Sequence, residues 1–276
     1  MSEPSSVRGS IARWGLNGFA ALGMLYLFLP IIWIVAFSFN EPKGKFNFVW
    51  QQATLDNWRS PLEDEGLTDA LVESLRIAAI STVIATALGS LIAIGLVRYR
   101  FRGSVLLDFV LVLPLTTPEV VIGSSLRAQF LDLEIFGTQF EFGLVTLIIA
   151  HVMFQISFVA LTVRARLRGF DWTLEQAAQD LGATPLRTFW TVTFPLILPG
   201  ILAASLLSFA LSIDDFIISV FNNGSVNTFP LFVNASFKNS FSPQINVLAT
   251  ILLIVSVALM VSGAAIGRLR NRSGVT

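Results

Sequence analysis

Long apolar runs separated by short polar stretches set the pattern of this chain. Six runs, at about 16–39, 77–97, 105–130, 142–163, 195–221 and 247–267, reach the roughly 20 mostly apolar residues needed to cross about 30 Å of hydrocarbon. Each is expected to be a helix, because lipid offers the backbone no hydrogen-bonding partner. The polar stretches alternate in sign. Arg8 and Arg13 precede the first run, and Arg98, Arg100 and Arg102 follow the second. Arg164, Arg166, Arg168 and Arg187 lie between the fourth and fifth, and Arg268, Arg270 and Arg272 follow the sixth. These twelve of the 18 basic residues fall on one side of an even topology. The other loops carry Glu63, Asp64, Glu65 and Asp69, then Asp132, Glu134 and Glu141. Basic residues mark the cytoplasmic side. The expectation is therefore an all-α membrane protein of six spans with both termini inside.

Composition agrees with that class: 54% of residues are hydrophobic and 13% charged, against about 25% charged in soluble domains. The absence of cysteine excludes disulfides and thiolate metal sites. No cleaved leader, soluble domain or internal repeat is read, so the chain is taken as one transmembrane domain over 1–276. Residues 1–15 and 268–276 are expected in the cytoplasm, about 171–190 forms a cytoplasmic loop, and about 40–70 an external one. That external loop is either a small cap or a plain connection. Trp14, Trp172 and Trp190 fall near the inner boundary, Trp50 and Trp58 in the outer loop.

The 171–190 loop carries the densest local signals. Thr173-Leu174-Glu175-Gln176 fits a capping box, with Thr173 as N-cap and Gln176 three residues on. Asp171 and Glu175 put negative charge at the positive end of the helix dipole. Leu174, Ala177, Ala178 and Leu181 recur at helical spacing and make a small apolar face, with Asp180 beside it. Gly182 suits a left-handed helix end, and Thr184-Pro185 suits a second helix start. A helix resting on lipid would show bulky Leu, Phe and Trp opposite Lys and Arg. An acidic, alanine-rich helix instead lets another protein surface approach closely.

The run Gln176-Ala177-Ala178-x-x-Leu181-Gly182-Ala183-x-Pro185, followed by Phe194-Pro195-Leu196-Ile197-Leu198-Pro199-Gly200, resembles the "EAA" loop of the permease subunits of binding-protein-dependent ABC importers. The resemblance implies a MetI-like bundle whose loop is a coupling helix seated on a cytoplasmic ATPase, with Thr173, Glu175, Gln176, Ala177, Ala178, Asp180, Leu181 and Gly182 as the ATPase-coupling residues. One departure is plain: Gln176 stands where the family has glutamate before the two alanines. Gln176 would then hydrogen-bond without charge, or Glu175 would substitute from a neighbouring angle. Arg98-Tyr99-Arg100-Phe101-Arg102-Gly103, Leu113-Pro114 to Pro118-Glu119, Leu211-Ser212-Ile213-Asp214-Asp215 and the Ser242 to Thr250 stretch resemble the second permease of spermidine/putrescine-type importers. That likeness runs from the second span through the sixth. It implies a bacterial inner-membrane, multi-pass location and four kinds of partner: an ATP-binding subunit dimer, a second homologous permease, an external substrate-binding protein and a polyamine substrate. Nucleic acid is not expected.

Ionisable groups at membrane depth are expensive and functional by default. At 1.5 Å per residue Glu119 lies about 24 Å beyond Gly103, and Asp214 and Asp215 about 28 Å beyond Pro195, all in the outer half. Together Glu119, Asp214 and Asp215 could line a translocation path for an organic polycation. Against this, Asp215 could be solvated at the outer boundary, and Glu119 could cap a helix or pair with Arg127. On one helix, Asp214 and Asp215 diverge by about 100°, so at most one would face a pore. Asp108 is expected to pair with Arg100 or Arg102. His151, the single histidine, is read as a helix–helix hydrogen bond. Pro114, Pro118, Pro195 and Pro199 are candidate hinges, because each removes a backbone donor.

The chain has no glycine-rich loop ending in Gly-Lys-Ser/Thr, so ATP and Mg are expected on a partner chain, with no cofactor or metal here. An enzyme is not expected: Asp214 and Asp215 are sequence neighbours rather than facing aspartates, and no Ser/His pair suits a protease. The rival transport readings are an ion-coupled carrier, which would show repeats, and the same machine carrying iron, sulfate or thiamine.

Overall fold

The computed structural model describes the backbone of residues 7–99, 101–135, 138–139 and 141–273, and side chains over 15–99, 101–133 and 141–258. The side chains of Arg8, Arg13, Trp14, Arg100, Glu134, Arg268, Arg270 and Arg272 lie outside these limits. Contacts divide the chain into two compact units, Met1–Asp64 with Ser236–Val257, and Glu65–Ala235 with Ala258–Thr276.

In the first unit, α1 (Val7–Phe37) carries the candidate span Gly15–Phe37. The segment after it is an ordered cap, built on asparagine. Asn40 donates to Asn47 Oδ1 (2.6 Å) and to the Val49 carbonyl (2.9 Å). Asn47 donates to the Phe37 carbonyl that ends α1 (2.8 Å), and Gln51 N–H donates to Asn40 Oδ1 (2.7 Å). The short helix α2 (Asp56–Arg59) follows. A bridge joins Phe46 to Phe241, and the rings of Phe48, Phe237 and Phe241 pack together. The segment 40–64 is thus ordered by its own bonds, while 65–70 already belongs to the next helix.

The second unit is built on three long helices: α3 (Glu65–Arg98), α6 (Leu144–Leu167) and α9 (Phe194–Ile213). Their core is Ala85, Ala93, Val152, Val159, Val163, Leu167, Ile197 and Ala204. Small residues set the spacing, as expected where lipid supplies no hydrophobic drive between helices. A Cβ at Gly89 would lie 2.8 Å from Val159 Cβ, and one at Gly200 would lie 2.6 Å from Arg166 Cγ. These glycines are what let α3 and α9 approach α6.

Two of the expected spans are broken. The third is α4 (Ser104–Thr116) followed by α5 (Glu119–Asp132), bent by 110° at Thr117-Pro118. Pro114 sits inside α4, and the break falls at Pro118, where the preceding Thr117 is extended, as residues before proline are. A straight-helix depth for Glu119 therefore does not hold. A two-residue hairpin, β1 (Glu134–Ile135) with β2 (Thr138–Gln139), follows α5. The fifth span ends early. The helix α8 (Pro185–Thr188), a π-helical turn (Phe189–Thr193) and α9 run on as one apolar helix to Ile213. The chain then breaks before α10 (Ile217–Asn222). Pro195 directly follows the π-helical turn inside this continuous helix, where the backbone bonding changes from π to α. Pro199 lies inside an uninterrupted α9. The coupling-loop helix is α7 (Thr173–Asp180), and α11 (Phe229–Asn239) and α12 (Pro243–Ser273) end the chain. Among the described residues, four helices are long and apolar enough to cross a membrane, or five with the bent pair as one span; Pro243–Ala258 is a shorter apolar helix.

Candidate coupling and translocation sites

Helix α7 forms where its local signals place it, but its cap differs from the expected one. Thr173 is the first helical residue, and no side-chain bond of Thr173 closes a capping box. Asp171 supplies the cap: its Oδ1 accepts from Thr173 N–H (3.0 Å) and from Thr173 Oγ1 (2.7 Å). These two bonds hold the Asp171 carboxyl below the usual carboxylate range. At the other end Gly182 has φ +86°. Ala183 N–H reaches the Ala178 carbonyl (3.1 Å) and Gly182 N–H the Gln179 carbonyl (2.8 Å), the two bonds of a Schellman turn. Thr184 then caps α8 by accepting from Arg187 N–H, with Pro185 at its start.

The faces of α7 are sorted sharply. Gln176, Ala177, Gln179 and Asp180 are exposed, Leu174 is 45% exposed and Leu181 90%. Ala178 is half-buried. Glu175 is buried at 5% and points the other way. Its carboxylate accepts from both ends of the Arg98 guanidinium, Nη2 at 3.0 Å and Nη1 at 3.3 Å, and from the Thr193 hydroxyl. Arg98 is the last residue of α3 and Thr193 ends the π-helical turn, so one carboxylate ties α7 to the end of α3 and to the turn that leads into α9. The Arg98 guanidinium also lies 6.0 Å from the Trp172 ring centroid. Glu175 is turned away from the exposed face, which Gln176 occupies. The sequence marks Arg98 as a topology signal and as part of the Arg98–Gly103 motif, and carries no sign of this latch. Nearby, Asp108 pairs with Arg164 rather than with Arg102: the Arg164 guanidinium donates to both Asp108 oxygens, the second at 3.1 Å.

The second site lies where the two broken helices meet. A cavity of about 260 Å³ is bordered by Glu119 at the start of α5, Asp214 and Asp215 in the α9–α10 break, and the rings of Phe154 and Phe216. All three carboxylates named from the sequence border it, because the breaks, not helical spacing, bring them together. Glu119 and Asp214 are exposed and Asp215 is buried. Asp215 acts as the cap of α10, accepting from Ile218 N–H (3.3 Å), Ser219 N–H (2.9 Å) and Ser219 Oγ (2.9 Å). It is therefore neither solvated at a boundary nor a mid-helix residue. An aspartate just before Phe216-Ile217-Ile218 is an N-cap signal that the sequence carried. Arg127 does not pair with Glu119. It donates to the Phe221 carbonyl (2.6 Å) and lies 4.8 Å from the Phe142 ring centroid.

His151 makes the expected interhelical bonds. Its Nδ1 lies 2.7 Å from Ser212 Oγ on α9, and its Nε2 lies 3.1 Å from Ser219 Oγ on α10 and 3.4 Å from Asp215 Oδ2. Gln155, one turn along α6, accepts from Ser208 Oγ (2.7 Å) and donates to Ser81 Oγ on α3 (3.1 Å). The four-residue spacing of His151/Gln155 and of Ser208/Ser212 is the pattern that could have disclosed this polar seam.

Residues 85–273 match the family of the binding-protein-dependent transport system inner membrane component. The chain is 39% identical over 235 residues to the putrescine transport system permease protein PotI of Escherichia coli K12, covering 84% of this chain and 83% of that one. It is 36% identical over 259 residues to the spermidine/putrescine transport system permease protein PotC of the same strain, covering 94% and 96%. In fold it resembles a membrane chain of a bacterial ABC transporter that imports the acidic polysaccharide alginate, with a TM-score of 0.62 at 17% identity over 95% of this chain and 98% of that one. It also resembles a chain of the MetNI methionine ABC transporter, with a TM-score of 0.56 at 17% identity over 79% of this chain and 99% of that one. The matched length and the identities to PotI and PotC show that this chain belongs to the binding-protein-dependent transport system inner membrane component family.

Proposed function

We propose that this chain is the membrane-spanning subunit of an ATP-driven importer of polyamines of the putrescine and spermidine class. It forms half of the translocation pathway and passes the work of a separate ATPase to it. The observation that carries the substrate class is the cavity bordered by Glu119, Asp214 and Asp215. Carboxylates with aromatic walls suit primary and secondary ammonium groups, which shed water on entering and gain charge pairing and face-on ring contact. An anion such as sulfate would meet repulsion there.

In this reading the full chain, 1–276, works as one permease domain with six spans and both termini in the cytoplasm of a bacterial cell with the bilayer as its solvent. The exposed face of α7, with Gln176, Ala177, Ala178, Asp180 and Leu181, seats on the ATPase dimer. ATP and Mg bind on that partner. Closure of the dimer moves α7, and the Glu175 latch passes the movement to α3 and to the π-turn before α9. Because α9 leads to the Asp214–Asp215 break, work delivered at one end reaches the carboxylates at the other. Pro118 and the π-turn are the bending points; Pro114, Pro195 and Pro199 loosen the same segments. A second homologous permease closes the other wall, and an external binding protein delivers the substrate.

The test is the reconstituted four-component complex in lipid vesicles, with ATP hydrolysis measured as putrescine, spermidine, sulfate, ferric iron or thiamine is added. Stimulation and uptake by the two polyamines are expected. Stimulation by one of the others with none by the polyamines would overturn the substrate class, and uptake that persists without ATP would overturn the importer reading in favour of an ion-coupled carrier.

A further inference from the structure

The polar seam inside the second unit has a direction, and it ends on a cavity carboxylate. A carboxylate only accepts, and Asp215 accepts the Ser219 hydroxyl proton at 2.9 Å. That hydroxyl has no second proton, so toward His151 it can only accept. The His151 Nε2 facing it at 3.1 Å must then carry the ring proton. In a neutral ring Nδ1 is left as an acceptor, and Ser212 Oγ donates to it at 2.7 Å. Ser212 Oγ in turn accepts from Ser81 Oγ at 3.3 Å, whose alternative acceptor, the Ala78 carbonyl, is more distant at 3.4 Å. Ser81 accepts from the Gln155 amide at 3.1 Å, and the Gln155 carbonyl accepts from Ser208 at 2.7 Å. Every donor therefore points the same way, from Ser208 on α9 through α6 and α3, back to α9, and by way of His151 to Asp215. Ser81, His151, Gln155, Ser208, Ser212 and Ser219 are all buried, so no water competes for these bonds.

We infer that His151 is a positioning residue for substrate: as a neutral, Nε2-protonated imidazole it fixes the Ser219 hydroxyl and so holds the Asp215 carboxylate toward the acidic cavity. The inference rests on the polyamine reading of that cavity. It gives the single histidine of the chain a role through Asp215, with no proton taken up or released. The seam also explains why Asp215 can be buried and still serve a cation. Its donors are supplied by the fold, and the residue borders the cavity. A chain of aligned donors polarises each successive bond and strengthens the acceptor end.

The experiment measures ATP hydrolysis by the complete complex as spermidine is titrated with its binding protein. His151→Leu should raise the half-saturating spermidine concentration about ten-fold, the order expected when a buried hydrogen-bonding group loses its partner. His151→Gln, which keeps one donor and one acceptor, should recover most of that loss. In an Asp215→Asn background, His151→Leu should add little, because the path through which it acts is already cut. Equal losses in the Leu and Gln variants, additive losses in the two backgrounds, or a loss confined to the maximal rate would each overturn the inference. Histidine-selective nitrogen-15 NMR, with the His151→Gln spectrum subtracted to isolate this ring, reads the tautomer without any substrate. An Nε2-protonated ring whose signals move in Asp215→Asn is expected; an Nδ1-protonated ring overturns the inference. If the unaltered complex ignores spermidine, the polyamine reading fails, and the NMR result still decides the positioning role.

Discussion

Helix α7 and the 214–216 break are both interruptions in an otherwise apolar helical scaffold; both use a local aspartate cap, and they differ in what packs against it. Helix α7 is held at its ends by neighbours in sequence: Asp171 at the start, and Gly182 with Ala183 at the finish. Most of its surface is left exposed for a partner. In the break Asp214 is exposed and Asp215 is buried; Asp215 is capped locally by residues 218 and 219 and is faced by His151 from α6, far away in sequence. A docking surface has to be formed before its partner arrives, so local signals suffice. A charged group inside a membrane protein has to be solvated by the fold, and here the local donors of residues 218 and 219 are backed by His151 from a distant helix. Glu175 joins the two modes, being local in sequence to α7 but satisfied by α3 and the π-turn.

The latch offers the largest test of that distinction. Glu175→Leu strands Arg98 and the Thr193 hydroxyl beside an apolar side chain, and loss of one partner of a largely buried ion pair costs about 3 kcal/mol or more. Uptake should fall by well over ten-fold, while polyamine-independent ATP hydrolysis survives. The double variant Arg98→Leu/Glu175→Leu should recover part of the loss, since no charge is then left unpaired. If Glu175→Leu transports normally, α7 is ordered by its ends alone and the latch transmits nothing.

The cavity carboxylates come next in size. Asp215→Asn replaces an acceptor of three donors by an amide whose nitrogen must face at least one of them, a loss of about 1–3 kcal/mol. Asp214 is exposed, and Asp214→Asn removes charge without disturbing the α10 cap. Both should weaken spermidine uptake in vesicles with complex assembly unchanged, Asp215→Asn more than Asp214→Asn. Equal effects would mean that the buried geometry contributes nothing beyond charge, and normal uptake in both would remove the acidic path.

Legibility in the sequence follows the same division. Gly182, Thr184-Pro185 and the Pro118 break were all read in place, because each is a backbone preference of one or two residues. The cap of α7 was misassigned by two positions because Asp171 and Thr173 both suit it, and only the coordinates decide which oxygen accepts. The inward turn of Glu175 was not readable, since the face that a short helix buries depends on what lies beneath it. The early end of α9 was missed for a related reason. No glycine or proline stands at 214–216, and an aspartate pair inside an apolar run looks like a decorated span until the α10 cap is seen. The cost of charge in a membrane singles out the three carboxylates, and their shared border on one cavity comes from two breaks and not from depths along straight helices.

Gly182→Val tests the locally ordered end. At φ +86° a residue with a Cβ is strained, and the space around Gly182 is open, so backbone strain of about 1–2 kcal/mol is the whole cost. Assembly should survive, with fewer polyamines carried per ATP hydrolysed. Gly182→Asn, which tolerates the left-handed region, should be much closer to normal. An unaffected valine variant would show that the exit of α7 has no part in coupling.

The smallest effect is expected at the other end of the same helix. Asp171 lies at the surface, so its contribution is modest, yet it has a defined pH sign. Its carboxyl is held below its ordinary value by the two Thr173 bonds. The stabilisation is therefore present above the unfolded value and is lost as pH falls through the lower folded one. Amide hydrogen exchange at residues 173–176, followed in the intact complex, should quicken only on acidification below about pH 4, the ordinary aspartate value. Asp171→Asn keeps an acceptor oxygen and should abolish the pH dependence while leaving protection at neutral pH nearly intact; Asp171→Ala should lose both. If exchange in the alanine variant matches the unaltered protein at neutral pH, the start of α7 is held by the Glu175 latch rather than by its own cap. Local ordering would then be confined to the glycine end.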